Sequence, residues 1–366
     1  MARPALTETS PPTFFRKRRR EIFALLATFL FLVAAETVVR LTNLVGRPTT
    51  NLPGMAANLE QSILDDPELF WRFKPSQAMD GDRRVYHINA LGLRDREVAV
   101  PKPAGVYRIL SLGESTTFGA GVALPETYTK VAEHLLRQRF PTRNIETVNA
   151  GVGAYTSFQC VKYLELEGKK LEPDMIWLFS EANDGLASFV RNYKNLEHGF
   201  GYTDRELHET RNRYAGLLSL LNHSDLYKLL RRLQTIQTVQ SYKQYVAGDQ
   251  RESAAVYWKP RVPPADRRDN LLRFVTLSGD LGAVPVFLLP AYFNSRPAAD
   301  RPLRGIAEDT NTPLIDLPAA VHASGRFGES WYSQEELGGH PNALGHRLMG
   351  EAIAADMISF YEKKGW

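Results

Sequence analysis

Cysteine is almost missing from this chain. Its 366 residues hold one, Cys160. A lone thiol excludes an intrachain disulfide and any zinc site built on cysteines. It leaves the compartment open, and on a helical stretch Cys160 reads as a small core residue. The sequence also lacks a P-loop, a G-x-G-x-x-G turn and a paired-histidine helix motif, so no metal, nucleotide or flavin cofactor is expected. Repeats and low-complexity tracts are missing too. So is a spread of basic charge. Residues 1–20 hold six basic residues and one acid, whereas the other 346 residues sum to −1. The net charge of +4 therefore belongs to the N-terminal tail, and no nucleic-acid partner is expected.

Long apolar runs are scarce, with one exception. Residues 22–35 are apolar apart from Thr28, and Val38 and Val39 extend the run past Glu36 and Thr37. That length is near the lower limit for a membrane span. Arg16, Lys17, Arg18, Arg19 and Arg20 stand directly before it. Positive flanks stay on the cytoplasmic side, so the chain after Arg40 is expected outside the inner membrane. A cleaved signal peptide would carry the same basic start. Val33-Ala34-Ala35 runs straight into Glu36 without a small-x-small cleavage site, so an uncleaved signal anchor is the expectation.

The expected organisation is a cytoplasmic tail over 1–20, a transmembrane anchor over 21–41, a linker and ordered lead-in over 42–88, and a catalytic domain over 89–366. Within that domain apolar strand-like runs alternate with helical patterns. Strands are expected at 107–112, 147–149, 175–179, 284–289 and 313–315. Helices are expected at 126–140, 156–168, 269–278 and 342–362. The run at 175–179 (MIWLF) is wholly apolar and reads as the central strand. Such alternation predicts an α/β fold with a parallel sheet covered on both faces. Ligands in these sheets bind at the carboxyl ends of the strands. Residues 187–264 form an insertion in which Leu226, Leu229, Leu230, Leu233, Ile236 and Val239 recur at helical spacing. It reads as a helical pair beside the sheet or as a lid over the site.

Four segments fall at that sheet edge. Gly113-Glu114-Ser115 follows the first strand, where a serine hydroxyl can project from the strand's end. Gly151-Val152-Gly153-Ala154-Tyr155 follows the second and offers backbone amides to an oxyanion. Glu181-Ala182-Asn183-Asp184 follows the third and offers a side-chain amide. His340-Pro341-Asn342 precedes the last helix and offers an imidazole, with Asn342 as its cap.

In order and spacing these blocks resemble the SGNH, or GDSL, hydrolase family. The flanking segments Asn89–Asp95 and Arg261-Val262-Pro263 look like a membrane-tethered bacterial subgroup. The resemblance implies a three-layer αβα, flavodoxin-like SGNH fold with a five-stranded parallel sheet. It implies Ser115 as nucleophile, His340 as general base, and Ala154, Gly153 and Asn183 around the oxyanion. The match has departures. Glu114 replaces the usual aspartate, Ala154 aligns with the oxyanion glycine, and Glu181 stands where a glycine is usual. Leu337 occupies the position of the triad aspartate, three residues before His340. Glu336, beside Glu335, then becomes the candidate carboxylate; the alternative is a Ser-His dyad. The resemblance implies an extracytoplasmic esterase acting on an ester-bearing small molecule, lipid or glycan. Two other readings remain open: an O-acyltransferase acting on an exported glycan, and a catalytically weakened envelope-binding protein.

Overall fold

The computed structural model describes residues 13–44, 62–80, 84–180, 182–185, 202–221, 223–230, 233, 260–290, 301–325 and 340–366. Helix α1 spans Thr13–Thr42. Two antiparallel hairpins follow: β1 (Ile63–Asp66) with β2 (Phe70–Phe73), and β3 (Gln77–Asp80) with β4 (Val85–Ile88). Strand β5 (Val106–Gly113) leads into a one-turn helix α2 (Ser115–Phe118) and then α3 (Tyr128–Arg139). Next come β6 (Asn144–Gly151), α4 (Ser157–Leu171) and β7 (Met175–Phe179). Helices α5 (Asp204–Arg213) and α6 (Ala215–Leu221) fall within the expected insertion. The chain closes with α7 (Pro264–Asp280), β8 (Val284–Leu289), α8 (Arg301–Asp309), β9 (Leu314–Asp316), α9 (Leu317–Ala323) and α10 (Ala343–Lys363).

The chain forms two compact units. One holds α1 together with the described residues of 214–237; the other holds the remaining elements.

The larger unit is built on a five-stranded parallel sheet in the order β6-β5-β7-β8-β9. The wholly apolar β7 is its middle strand, as expected. Alternate residues of each strand feed two separate cores, because successive side chains in a strand point to opposite faces. Leu110, Leu112, Ile176, Leu178, Phe287 and Leu289 pack on one face with the hairpins, α4, α7 and α8. Ile109, Met175, Trp177, Val286 and Leu288 pack on the other with α3, α9 and α10. A sheet apolar on both faces needs cover on both, which gives the three αβα layers. Cys160 is buried on α4, and burial pushes its thiol pKa well up, as befits a core residue.

Several local details differ from the sequence reading, among them the start of α7 at Pro264, ahead of the expected 269. Residues 124–126 form a separate tight 3-10 turn containing Pro125, and α3 starts only after Thr127, whose side chain accepts from Lys130 N–H. The lead-in is part of the core rather than a mere approach to it: Phe70, Trp71, Phe73, Tyr86 and Ile88 are all buried there.

Candidate active site

The turn that carries Ser115 depends on two glycines that face each other on neighbouring strands. Gly113 and Gly151 are partners in the β5–β6 register. A Cβ on Gly113 would lie 2.0 Å from Thr117 Oγ1, and one on Gly151 would lie 2.2 Å from Phe118 N. Helix α2 therefore sits directly on the two strand ends, with Ser115 as its first residue. Asn149 Nδ2 donates to Thr117 O at 2.7 Å and holds the turn from below. Arg94 holds its far end by donating to the carbonyls of Phe118, Gly119 and Val122. Its guanidinium is packed over the rings of Tyr86 and Phe118, and burial lowers its pKa to about 10.

The loop after β6 is pinned through three consecutive carbonyls. Trp71 Nε1 donates to Gly153 O at 3.3 Å, Arg261 Nη1 to Ala154 O at 2.7 Å, and Asn183 Nδ2 to Tyr155 O at 2.9 Å. Arg261 is itself buried against Asp204, with contacts of 3.0 and 2.9 Å. Thr156 Oγ1 donates to the same carboxylate at 2.7 Å. Ala154 sits at φ 66°, in the left-handed region that favours glycine. An alanine there is strained, and the three donors over-determine the turn that carries it.

Asn183 also donates to the buried Glu114 carboxylate. Its amide thus links the Ser115 turn to the loop after β6. Asp184 next to it is buried, with Oδ1 accepting from Ser157 N–H at 2.8 Å, at the start of α4. Burial raises its carboxyl pKa, which the Arg267 guanidinium at 3.7 Å partly offsets.

His340 arrives from the far end of the chain. Asn342 caps α10 by accepting from Leu344 and Gly345 N–H at 3.0 and 3.1 Å. Gly350 lets α10 lie against α3, since a Cβ there would meet Tyr128 O at 2.9 Å. This packing brings His340 Nε2 to 2.6 Å from Ser115 Oγ across 225 residues of sequence. One turn into α10, His346 is fully buried and stacks on Tyr128. Its Nδ1 accepts from Tyr128 N–H at 3.2 Å, while Nε2 finds no hydrogen-bond partner among the described residues. Burial lowers its pKa to about 3, so the ring is neutral.

The family model of the GDSL-like lipases and acylhydrolases matches residues 111–348. The chain belongs to this family. As a GDSL-like protein it is an ester hydrolase. No curated protein matches the chain. Among solved structures it is similar to LAE5, an alpha/beta hydrolase enzyme from the metagenome of Lake Arreo, Spain. The identity is 16%, with 68% of this chain and 94% of that chain covered and a TM-score of 0.43. It is also similar to Axe2, an acetylxylan esterase from Geobacillus stearothermophilus, at 17% identity, 68% and 93% coverage and a TM-score of 0.40.

In this GDSL-like hydrolase the structure brings Ser115, His340, Gly153, Ala154 and Asn183 to one end of the sheet. Glu336, its neighbours Glu335 and Leu337, and Glu181 lie outside the described residues. Both Nδ2 contacts of Asn183 go to protein acceptors, so an oxyanion would have to share one of its hydrogens. Sequence reasoning missed Trp71 and Asp204, and treated Arg94 and Arg261 only as parts of flanking signatures. Their partners lie 82, 57 and 24 residues away, beyond any local pattern. For Trp71 the one usable signal was the "ordered" look of the lead-in that holds it.

Proposed function

We propose that the protein is a serine esterase that removes O-acyl groups by a Ser-His mechanism on the outer side of the membrane. The observation that carries this reading is the 2.6 Å contact between Ser115 Oγ and His340 Nε2. With Nε2 as acceptor, the serine hydroxyl donates along the path a general base needs. Ser115 Oγ attacks the ester carbonyl carbon as its proton passes to His340. The tetrahedral oxyanion is met by the backbone N–H groups of Ser115 and of Ala154 or Gly153, with Asn183 as an additional donor. His340 then gives the proton to the leaving alcohol, and the acyl group stays on Ser115. Water, deprotonated by the same imidazole, attacks the acyl-enzyme and releases the acid. Glu336 is the proposed carboxylate that orients His340.

The outer location is supported by α1. Among the described residues one helix, Arg18–Thr42, is long and apolar enough to cross a bilayer. With the basic residues before it, an uncleaved anchor leaves the hydrolase unit outside.

The test is Ser115→Ala in the full-length protein. Hydrolysis of p-nitrophenyl acetate should fall to the uncatalysed background while the thermal melting temperature is kept. A fluorophosphonate probe should label the wild type at Ser115. Retained turnover, or an unlabelled folded wild type, contradicts the reading.

A further inference from the structure

Glu36 lies near the outer end of α1, and its carboxylate is engaged by a segment made far later in the chain. It accepts from Ser224 Oγ at 2.7 Å, Asp225 N–H at 2.9 Å and Leu226 N–H at 2.8 Å. Arg40, one turn on, pairs with Glu36 at 2.6 Å and donates to His223 O at 2.7 Å. Residues 225–230 are helical, so the carboxylate caps their free N–H groups. A carboxylate in an apolar helix is costly unless paired, and these donors are its pairing.

The contacts fix the height of this segment along α1. Glu36 stands four residues, roughly 6 Å, before Arg40. A span that begins after the basic block reaches the far headgroup layer at about 20 residues, which is this same turn. Residues 223–226 are therefore tied to α1 at the level where hydrocarbon meets headgroups. On either side of them stand exposed apolar side chains. Leu217 is 54% exposed, Leu220 70%, Leu230 57% and Leu233 53%, with Tyr214 at 48%. These are large apolar exposures for water-facing helices, and α1 shows the same, with Leu41 82% exposed. In sequence, Leu226, Leu229, Leu230, Leu233 and Ile236 fall on one helical arc. Lys228, Arg231 and Arg232 fall on the opposite arc. An apolar arc facing a basic one is the pattern of a helix lying in a membrane interface.

We propose that the described residues of 214–233 form a second membrane-binding element, lying in the outer headgroup layer beside α1. This rests on α1 being an uncleaved anchor. Leu217, Leu220, Leu230 and Leu233 sink about 5–10 Å into the acyl boundary. The segment follows α5 directly at Tyr214, and α5 supplies the Asp204 that pairs with Arg261. The hydrolase unit is thereby joined to the bilayer through two separate points of its chain. This assigns the middle of the insertion to lipid contact instead of to a lid.

The test uses full-length protein in phosphatidylethanolamine/phosphatidylglycerol vesicles. Single cysteines replace Leu220, Leu230, Leu26 or Leu166 in a Cys160→Ala background and carry an environment-sensitive fluorophore. Each labelled variant is first checked for unchanged ester hydrolysis. At positions 220 and 230, a nitroxide lipid labelled near the headgroup should quench the emission, as burial at that depth predicts. A nitroxide deep in the acyl chain should have a smaller effect there. Position 26, in the anchor, should show the reverse order. Position 166, on α4, should show no quenching. Quenching at 26 but not at 220 or 230 overturns the proposal and leaves the anchor standing. No quenching at any position overturns both.

Discussion

The indole N–H of Trp71 donates to the carbonyl oxygen of Gly153 at 3.3 Å. The Gly153–Ala154 peptide is trans, so its C=O and N–H point in opposite directions. By holding the carbonyl, Trp71 sets the direction of the Ala154 N–H, the proposed oxyanion donor. Trp71→Phe keeps the ring against Tyr155 but removes the donor. The lost bond is worth about 1 kcal/mol, so kcat should fall about fivefold with KM nearly unchanged. Steady-state kinetics on p-nitrophenyl acetate checks this.

Ala154 is the most informative departure from the family pattern, because its φ of 66° is what a glycine there would supply freely. Left-handed backbone costs an L-residue roughly 1–2 kcal/mol. Glycine would relieve that strain but lose a buried methyl and gain chain entropy when unfolded. Ala154→Gly should therefore lie within about 1 kcal/mol of wild type and keep its turnover. Ala154→Val places a β-branched residue in the same region and should cost about 2 kcal/mol or more. Urea unfolding of both variants gives the comparison.

Much of this was legible beforehand, and the reason differs by element. Strands β7 and β8 are read to the residue, because burial on both faces leaves unbroken apolar runs. The four blocks are legible because each sits beside glycines or a helix cap that local chemistry reveals. The hairpins β1–β2 and β3–β4 are not legible: each strand has four residues, too few for a period to show. The start of α3 is misread by two residues because Pro125 and Glu126 suit the first turn of any helix. Trp71 escapes notice and Arg261 shows only as part of a flanking segment, because their roles exist only once distant segments meet.

Arg261 is buried with Asp204 as its ionic partner, and its loss would leave that carboxylate buried without it. Removing one member of such a pair typically costs about 3–5 kcal/mol. Arg261→Met should lower the urea midpoint accordingly. Adding Asp204→Leu should restore part of the loss, because no buried charge then remains there. A double-mutant cycle measures the coupling.

His346 gives a pH prediction of definite sign. Its folded pKa of about 3 lies below the ordinary 6.5, so between these values the unfolded chain binds more protons. Its contribution to stability is full above pH 6.5 and is lost as pH falls. At pH 5 the loss is about 2 kcal/mol. Asp95 and Asp184 have pKa values raised by burial and act in the opposite sense, so the wild-type slope alone is mixed. The difference between wild type and His346→Gln isolates the imidazole. Between pH 7 and 5 the wild type should lose about 2 kcal/mol more than the variant.

The capped carboxylate of Glu36 also sets an order of events during synthesis. Its three donors lie 188, 189 and 190 residues further along the chain. At roughly 5–20 residues per second, a ribosome needs about 10–40 s to supply them. Throughout that interval α1 has already been made, and among the described residues made by then Arg40, four residues away, is the one that pairs with the Glu36 charge. The nascent helix thus carries its own provisional counter-ion, which later shares the carboxylate when residues 224–226 arrive.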